Sequence, residues 1–349
     1  MQPTRYWKPD TTAAGRVVCV LCPHECVIAE GKSGRCLGRK NIGGRLEAAN
    51  YGEVVSIAVD PIEKKPLYHF LPGSEILSVA TYGCNLRCPF CQNSEISQHA
   101  APSRRVEPDE LLALAKRHGT PSVAYTYNEP CIWFEYLMDA GKLMQAAGIR
   151  NVLVTNGMLN PEPLAELLPL IAAMNIDLKS IRPEFYRDYV QGDLDTVLNT
   201  IRTARRACHV ELTNLLIPGR NDSEADVSEL VDFVASLGRE TVLHFSRYFP
   251  RHRASEPPTP TEKLVEAAGI ARKKLDYVYL GNVATGEDLG SGDSPHPGTV
   301  PSGSVPERDT FCPKCRSRLV DRSRHAGRVV GVRGGKCANC GRKADLVLG

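Results

Sequence analysis

An α/β fold of parallel strands, flanked at both ends by small cysteine-rich units, is what the sequence predicts. From about residue 74 to 285, short β-rich runs alternate with amphipathic helical runs. Strand, helix, strand, helix in register implies parallel strands joined by right-handed crossovers. Eight of the thirteen cysteines lie outside that stretch, in two tight groups. At 349 residues the chain is long enough for one large domain with small appendages.

Residues 1–72 are rich in Gly, Cys and polar turns and predict a compact four-cysteine unit. In the alternating domain, 73–285, strand-like runs cover 76–82, 122–127, 151–155, 174–178, 209–217 and 241–247. Helix-like runs cover 108–118, 133–147, 161–172, 194–207, 223–237 and 261–275. Pro108 and Pro161 start helices, and Gly119, Gly148 and Gly238 stop them. Six such βα units fit either an open doubly wound sheet or an incomplete barrel, and periodicity does not choose. Residues 286–309 are rich in Gly, Ser and Pro with no apolar period, which predicts a linker. Residues 310–349 form a separate small unit.

Composition narrows the function. An odd cysteine count argues against a closed disulfide framework, and no signal-peptide pattern opens the chain. No apolar run approaches the ~18–20 residues of a membrane span. The expectation is a reducing, cytoplasmic setting in which cysteines bind metal or do redox chemistry. Net charge is +3, but residues 310–349 hold ten Lys or Arg against two Asp. That basic tail suits either a solvated surface or contact with nucleic acid or an acidic partner.

The central motif follows the first strand of the alternating domain: Cys84-x3-Cys88-x2-Cys91, with Phe90 inside it. Three thiolates do not complete a tetrahedral zinc site, but they hold three irons of a four-iron cluster and leave the fourth open. A loop at the carboxyl end of a parallel strand is also where α/β folds build active sites. Cys131 and Cys208 stand alone and read as small buried apolar residues.

Cys84 to Cys91 resemble the cluster signature of the radical S-adenosylmethionine (SAM) superfamily. The resemblance implies a partial (β/α)6 TIM-like barrel, which resolves the choice left by periodicity. It implies a [4Fe-4S] cluster whose unique iron takes the amino and carboxylate groups of SAM. It further implies reductive cleavage of SAM to methionine and a 5′-deoxyadenosyl radical that abstracts hydrogen from substrate. The cofactor-binding candidates are Phe90, Asn128, Glu129, Asn156, Asp177 and Lys179. Asn128 and Glu129 stand where the superfamily has a Gly-Gly-Glu-type motif, though the glycines are absent here. Asp177-x-Lys179 and Ile217-Pro218-Gly219-Arg220-Asn221-Asp222 resemble the activating-enzyme branch.

Cys19-x2-Cys22-Pro23-His24-x-Cys26 with Gly31-x2-Gly34-x-Cys36, followed by the string Asp60–Ser74, resembles one subgroup nearly throughout. These are the AmmeMemoRadiSam system radical SAM enzymes, related to pyruvate formate-lyase activating enzymes. The resemblance implies a low-potential electron donor of flavodoxin or ferredoxin type and protein partners from the AmmeMemoRadiSam gene set. Within the string, Lys64, Lys65 and His69 either pack a loop under the barrel or face the active site.

Cys312-x2-Cys315 and Cys337-x2-Cys340 have zinc-ribbon spacing, and a saturated four-thiolate zinc is structural. Cys19, Cys22, Cys26 and Cys36 supply four thiolates for a structural zinc or an auxiliary [4Fe-4S] cluster. The compact Gly-rich segment favours zinc, and His24 could replace one thiolate. The expectation is a radical SAM enzyme whose substrate the sequence leaves open. Alternatives are an activase that abstracts hydrogen from a glycine of a partner protein, an RNA- or other nucleic-acid-modifying enzyme, and a non-catalytic metal-binding adaptor.

Overall fold

The structure is a computed structural model that describes residues 2–283, 308–322 and 326–349. The linker expected at 286–309 therefore lies outside the described residues, save Arg308 and Asp309. The chain divides into two compact units. One holds residues up to Asp60, Glu75–Ile176 and Tyr186–His209; the other holds Pro61–Ser74, Asp177–Phe185 and the chain from Val210 onward.

In the first unit, β1 (Glu75–Ala80), β2 (Ser122–Tyr125), β3 (Arg150–Thr155) and β4 (Ile171–Asp177, whose last residue already counts with the second unit) are successive parallel neighbours. All four residues of β2 are buried, which is the pattern of a strand covered on both faces. The connecting helices are α1 (Pro108–His118), α2 (Phe134–Ala146), α3 (Pro161–Leu167) and α4 (Leu194–Ala207). Pro108 opens α1, and Gly119 closes it with a left-handed φ of 63°. The Asp193 carboxylate caps α4 by accepting from the Thr196 N–H at 2.8 Å. The helix expected over 161–172 stops at Leu167. Pro169 has no N–H to continue it, a short 3-10 turn (Leu168–Leu170) follows, and β4 begins earlier than its expected start at 174.

The N-terminal segment builds small antiparallel sheets. Arg39–Ile42 pairs with Arg45–Ala48 across Gly43 and Gly44, whose φ values of 61° and 74° suit a two-glycine hairpin turn. Arg39 is 1% exposed, and its Nη2 donates to both carboxylate oxygens of Glu135 on α2 at 2.6 and 2.8 Å. The Arg5 backbone joins in, its carbonyl accepting from Arg39 Nη1 and its N–H donating to Glu135. Breaking such a pair leaves a buried charge alone. Glu135→Ala is therefore expected to destabilise the chain by about 3–5 kcal/mol in urea unfolding, and Arg39→Met with Glu135→Leu by far less. A single-variant loss below about 1 kcal/mol would show that the pair does not anchor this segment.

In the second unit, β5 (His209–Leu216), β6 (Val242–Arg247) and β7 (Val278–Gly281) are parallel neighbours joined by α5 (Glu224–Ser236) and α6 (Thr261–Arg272). The short β7 was not among the six strands expected. Parallel strands alternating with helices are the central parallel sheet of the α/β class predicted, and the layout is consistent with a partial barrel. The segment Pro61–Ser74 packs beneath this sheet. The Tyr68 and His69 N–H groups donate to the fully buried Glu211 carboxylate at 3.0 and 2.7 Å, and His244 Nε2 is 2.7 Å from it. Glu211 and His244 lie near the starts of β5 and β6, the end of a parallel sheet where residues serve stability. His69, 0% exposed, lies between the Asp345 carbonyl and the Tyr279 hydroxyl, so of its two expected readings the packing one describes it.

Thr310–Phe311, Arg318–Asp321 and Arg328–Val329 form a small antiparallel sheet, and Val332–Arg333 pairs with Lys336–Cys337. This unit docks by backbone bonds from Leu71 N–H to the Val347 carbonyl and from Val347 N–H to the His69 carbonyl, both at 2.8 Å. The Arg322 guanidinium lies 4.4 Å from the centre of the Tyr68 ring. Among the described residues, no helix is long and apolar enough to cross a membrane.

Candidate functional site

The site is built on the loop that leaves β1. Gly83 opens it with φ 94°, and a Cβ there would stand 2.0 Å from the Cys36 carbonyl oxygen, so only glycine fits. The loop is then pinned at several points. Arg87 N–H donates to the Val190 carbonyl at 2.9 Å, and Arg87 Nη1 ties back to the carbonyls of Cys84 and Leu86. Phe90 is buried and stacks on Tyr189 with ring centres 5.7 Å apart. A short helical turn, Ser94–Ser97, ends the loop.

Polar groups stand against two of its sulfurs. Leu86 N–H donates to Cys84 Sγ at 3.4 Å, Asn156 Nδ2 stands 3.7 Å from the same sulfur, and the Ser97 hydroxyl is 3.1 Å from Cys91 Sγ. Burial, followed by the negative charge of Glu129, pushes the Cys84 thiol well above its ordinary range. A thiolate there needs a cation to form. A three-thiolate donor set with N–H groups directed at sulfur fits an iron–sulfur cluster.

The ends of β2 and β3 converge on this loop. Tyr127, at a left-handed φ of 69°, turns the chain after β2, and its hydroxyl donates to Asp60 at 2.7 Å. Asn128 Nδ2 then donates to the Gly83 carbonyl at 2.9 Å. Glu129 is 1% exposed and accepts from Cys131 N–H (2.9 Å), the Thr155 hydroxyl (2.7 Å) and Asn156 N–H (2.7 Å). Burial raises its carboxyl above the usual range against those hydrogen bonds, which pull the other way. Its visible work is to fix the turn at Thr155-Asn156. From there Asn156 reaches Asn85 Oδ1 at 2.9 Å as well as Cys84.

Asp177 and Lys179 belong to the second unit, where they form an ion pair of 2.8 Å. Their backbone is held by Asn214 Nδ2, which donates to the Leu178 carbonyl at 2.8 Å, and by Asn221 Nδ2, which donates to the Lys179 carbonyl at 2.6 Å. The Ile217–Asp222 segment is a turn closed on itself: Ile217 N–H donates to Asn221 and Gly219 N–H to Asp222. Asn221 thus links this motif to the Asp-x-Lys pair.

The other cysteines fall into two kinds. Cys312, Cys315, Cys337 and Cys340 have sulfurs all within 4.8 Å of one another, with Cys312–Cys340 and Cys315–Cys337 at 3.6 Å. One metal ion can be held there. Cys315 is lowered to about 5, chiefly by its hydrogen bonds with Ser317. Cys19, Cys22, Cys26 and Cys36 instead line a small cavity. Burial pushes Cys22 up to about 12 and Cys36 up to about 11. Cys131 is buried as expected, 3.5 Å from the Thr155 hydroxyl, and Cys208 is half-buried at the end of α4. Sequence reasoning missed Asn85, Ser97 and Asn93, whose Nδ2 donates to the Tyr127 carbonyl at 2.7 Å. Their only signal was position inside or just after the cysteine motif.

Residues 78–234 match the Radical SAM superfamily. The chain is 40% identical over 342 residues to an uncharacterized protein of Methanocaldococcus jannaschii, covering 95% of this chain and 96% of that one. It is 28% identical over 179 residues to the GTP 3',8-cyclase of Geobacter sulfurreducens, spanning 49% of this chain and 53% of that enzyme. Among solved structures, a domain of pyruvate-formate lyase-activating enzyme from Bacteroides vulgatus superposes with TM-score 0.41 at 23% identity. It covers 46% of this chain and 98% of that one.

Proposed function

Since the chain belongs to the radical SAM superfamily of enzymes, we propose that it cleaves S-adenosylmethionine reductively at a [4Fe-4S] cluster held by Cys84, Cys88 and Cys91. The observation that carries this reading is the three-thiol loop at the carboxyl end of β1, with N–H groups directed at Cys84 Sγ. When bound, the cluster supplies the electron that breaks the sulfonium C–S bond and so yields the 5′-deoxyadenosyl radical.

The chain's own residues orient and shield. Asn156 and the Leu86 N–H stabilise negative charge on Cys84 sulfur. Glu129 holds the turn that aims Asn156, and Asn128 fastens the end of β2 to the cysteine loop. Phe90, packed on Tyr189, keeps water from the loop. Lys179 offers a cation for the carboxylate of S-adenosylmethionine and Asp177 an acceptor for its hydroxyl or ammonium groups. Cys312, Cys315, Cys337 and Cys340 hold a structural zinc. A low-potential donor of the flavodoxin or ferredoxin class, in the cytoplasm, completes the electron supply.

Electron paramagnetic resonance of the dithionite-reduced Cys22→Ser/Cys36→Ser double variant, which keeps Cys84, Cys88 and Cys91, tests the reading. Adding S-adenosylmethionine is expected to shift the signal of a four-iron cluster. A spectrum unchanged by saturating S-adenosylmethionine contradicts it.

A further inference from the structure

Zinc and an iron–sulfur cluster place different demands on the thiol spacing of the N-terminal quartet. A zinc–sulfur bond of about 2.3 Å in a tetrahedron puts sulfurs about 3.8 Å apart. The C-terminal quartet has that spacing, with sulfur pairs at 3.6 Å. Among the described residues, it is the group of three or more ligating side chains whose donor atoms all lie within 4.8 Å of one another. Cys19, Cys22, Cys26 and Cys36 do not make such a group, with or without His24. Neither do Cys84, Cys88 and Cys91. The N-terminal thiols are thus spread more widely than those of the ribbon. They stand around a shared cavity rather than in mutual contact. A cubane needs this arrangement, because each thiolate binds a different iron at a different corner.

Two further observations point the same way. Arg39 lines the cavity and is 1% exposed, and its Nε has no hydrogen-bond partner. A buried, charged N–H donor left unpaired is costly unless an acceptor fills the space before it. The sulfides and thiolates of a cluster accept such bonds. The quartet is also seated directly on the catalytic loop. The Cys36 carbonyl occupies the space that a Gly83 side chain would need, the Arg35 carbonyl accepts from Arg87 Nη2, and His24 Nε2 lies 2.7 Å from the Asn85 carbonyl.

We propose that Cys19, Cys22, Cys26 and Cys36 hold a second iron–sulfur cluster, packed against the loop that carries Cys84, Cys88 and Cys91. This goes beyond the proposed cleavage reaction and does not depend on it. The test is an iron and zinc count on the full chain, reconstituted anaerobically with both metals available, with optical absorbance near 400 nm recorded alongside. The wild-type chain is expected to hold about eight irons, and the Cys84→Ala/Cys88→Ala/Cys91→Ala variant about four, with one zinc in each. If that variant fails to fold, the Cys22→Ser/Cys36→Ser variant provides the complementary count, falling from about eight irons to about four. Two zincs per chain, or fewer than about one iron remaining in the triple variant, overturns the proposal.

Discussion

Replacing any one of Cys84, Cys88 and Cys91 by serine is expected to remove about four irons per chain and to abolish cleavage of S-adenosylmethionine. The three sulfurs sit on one short loop, so each is a third of the attachment. Serine presents a hard oxygen of high pKa where iron–sulfur chemistry needs a soft thiolate. The loss is not expected to unfold the chain. The loop's backbone is held by Arg87 to Val190, by Asn128 to Gly83 and by Asn85 Nδ2 to the Met158 carbonyl, none of which uses a thiol. The thermal midpoint should therefore stay within a few degrees of wild type while bound iron falls, at about 2–4 °C per kcal/mol for a domain of this size. Iron counts and chromatography of 5′-deoxyadenosine read both effects. A variant that keeps all its iron and its full cleavage rate would remove these cysteines from the site.

The second large effect is expected at the other end of the chain. Cys337→Ser, or stripping with a strong chelator, should release one metal ion and open the segment from 310 to 349 to trypsin, which has ten Lys or Arg there to cut at. The reason is the size of its core. The buried cluster is Cys312, Leu319, Val320, Cys337 and Ala344, so two of its members belong to the cysteine quartet itself. So small a core does not fold a segment alone, whereas metal binding to small four-ligand domains contributes about 10–16 kcal/mol. The damage should spread, because Val347 is bonded to His69 and Leu71, and Asp345 to Tyr277 and His69. A lower thermal midpoint for the whole chain is the expected companion result. Equal trypsin resistance with and without the metal would mean that the ribbon stands without it.

Much of this was legible in the sequence for physical reasons. The alternation of periods two and 3.6 marks parallel strands and helices because each element buries one face or both. Cysteine spacing was equally plain, since C-x2-C knuckles impose local geometry. What the sequence concealed was three-dimensional. β7 is only four residues long and carries no strong alternation. Pro169 lies inside the helix expected over 161–172, and the helix ends before it. Glu129 accepts from three donors of its own unit, and that network could not be read from spacing. The N-terminal quartet is the clearest case. C-x2-C-x3-C-x9-C admits zinc or a cluster, and how far apart the folded sulfurs stand is not written in that spacing.

The most direct measurement is 5′-deoxyadenosine and methionine release from the reconstituted chain under dithionite, compared with the Cys84→Ala/Cys88→Ala/Cys91→Ala variant. The account predicts both products in equal amounts from the wild-type chain and neither from the variant. Wild-type protein loaded with iron that yields no 5′-deoxyadenosine, or a variant that yields as much, would contradict it.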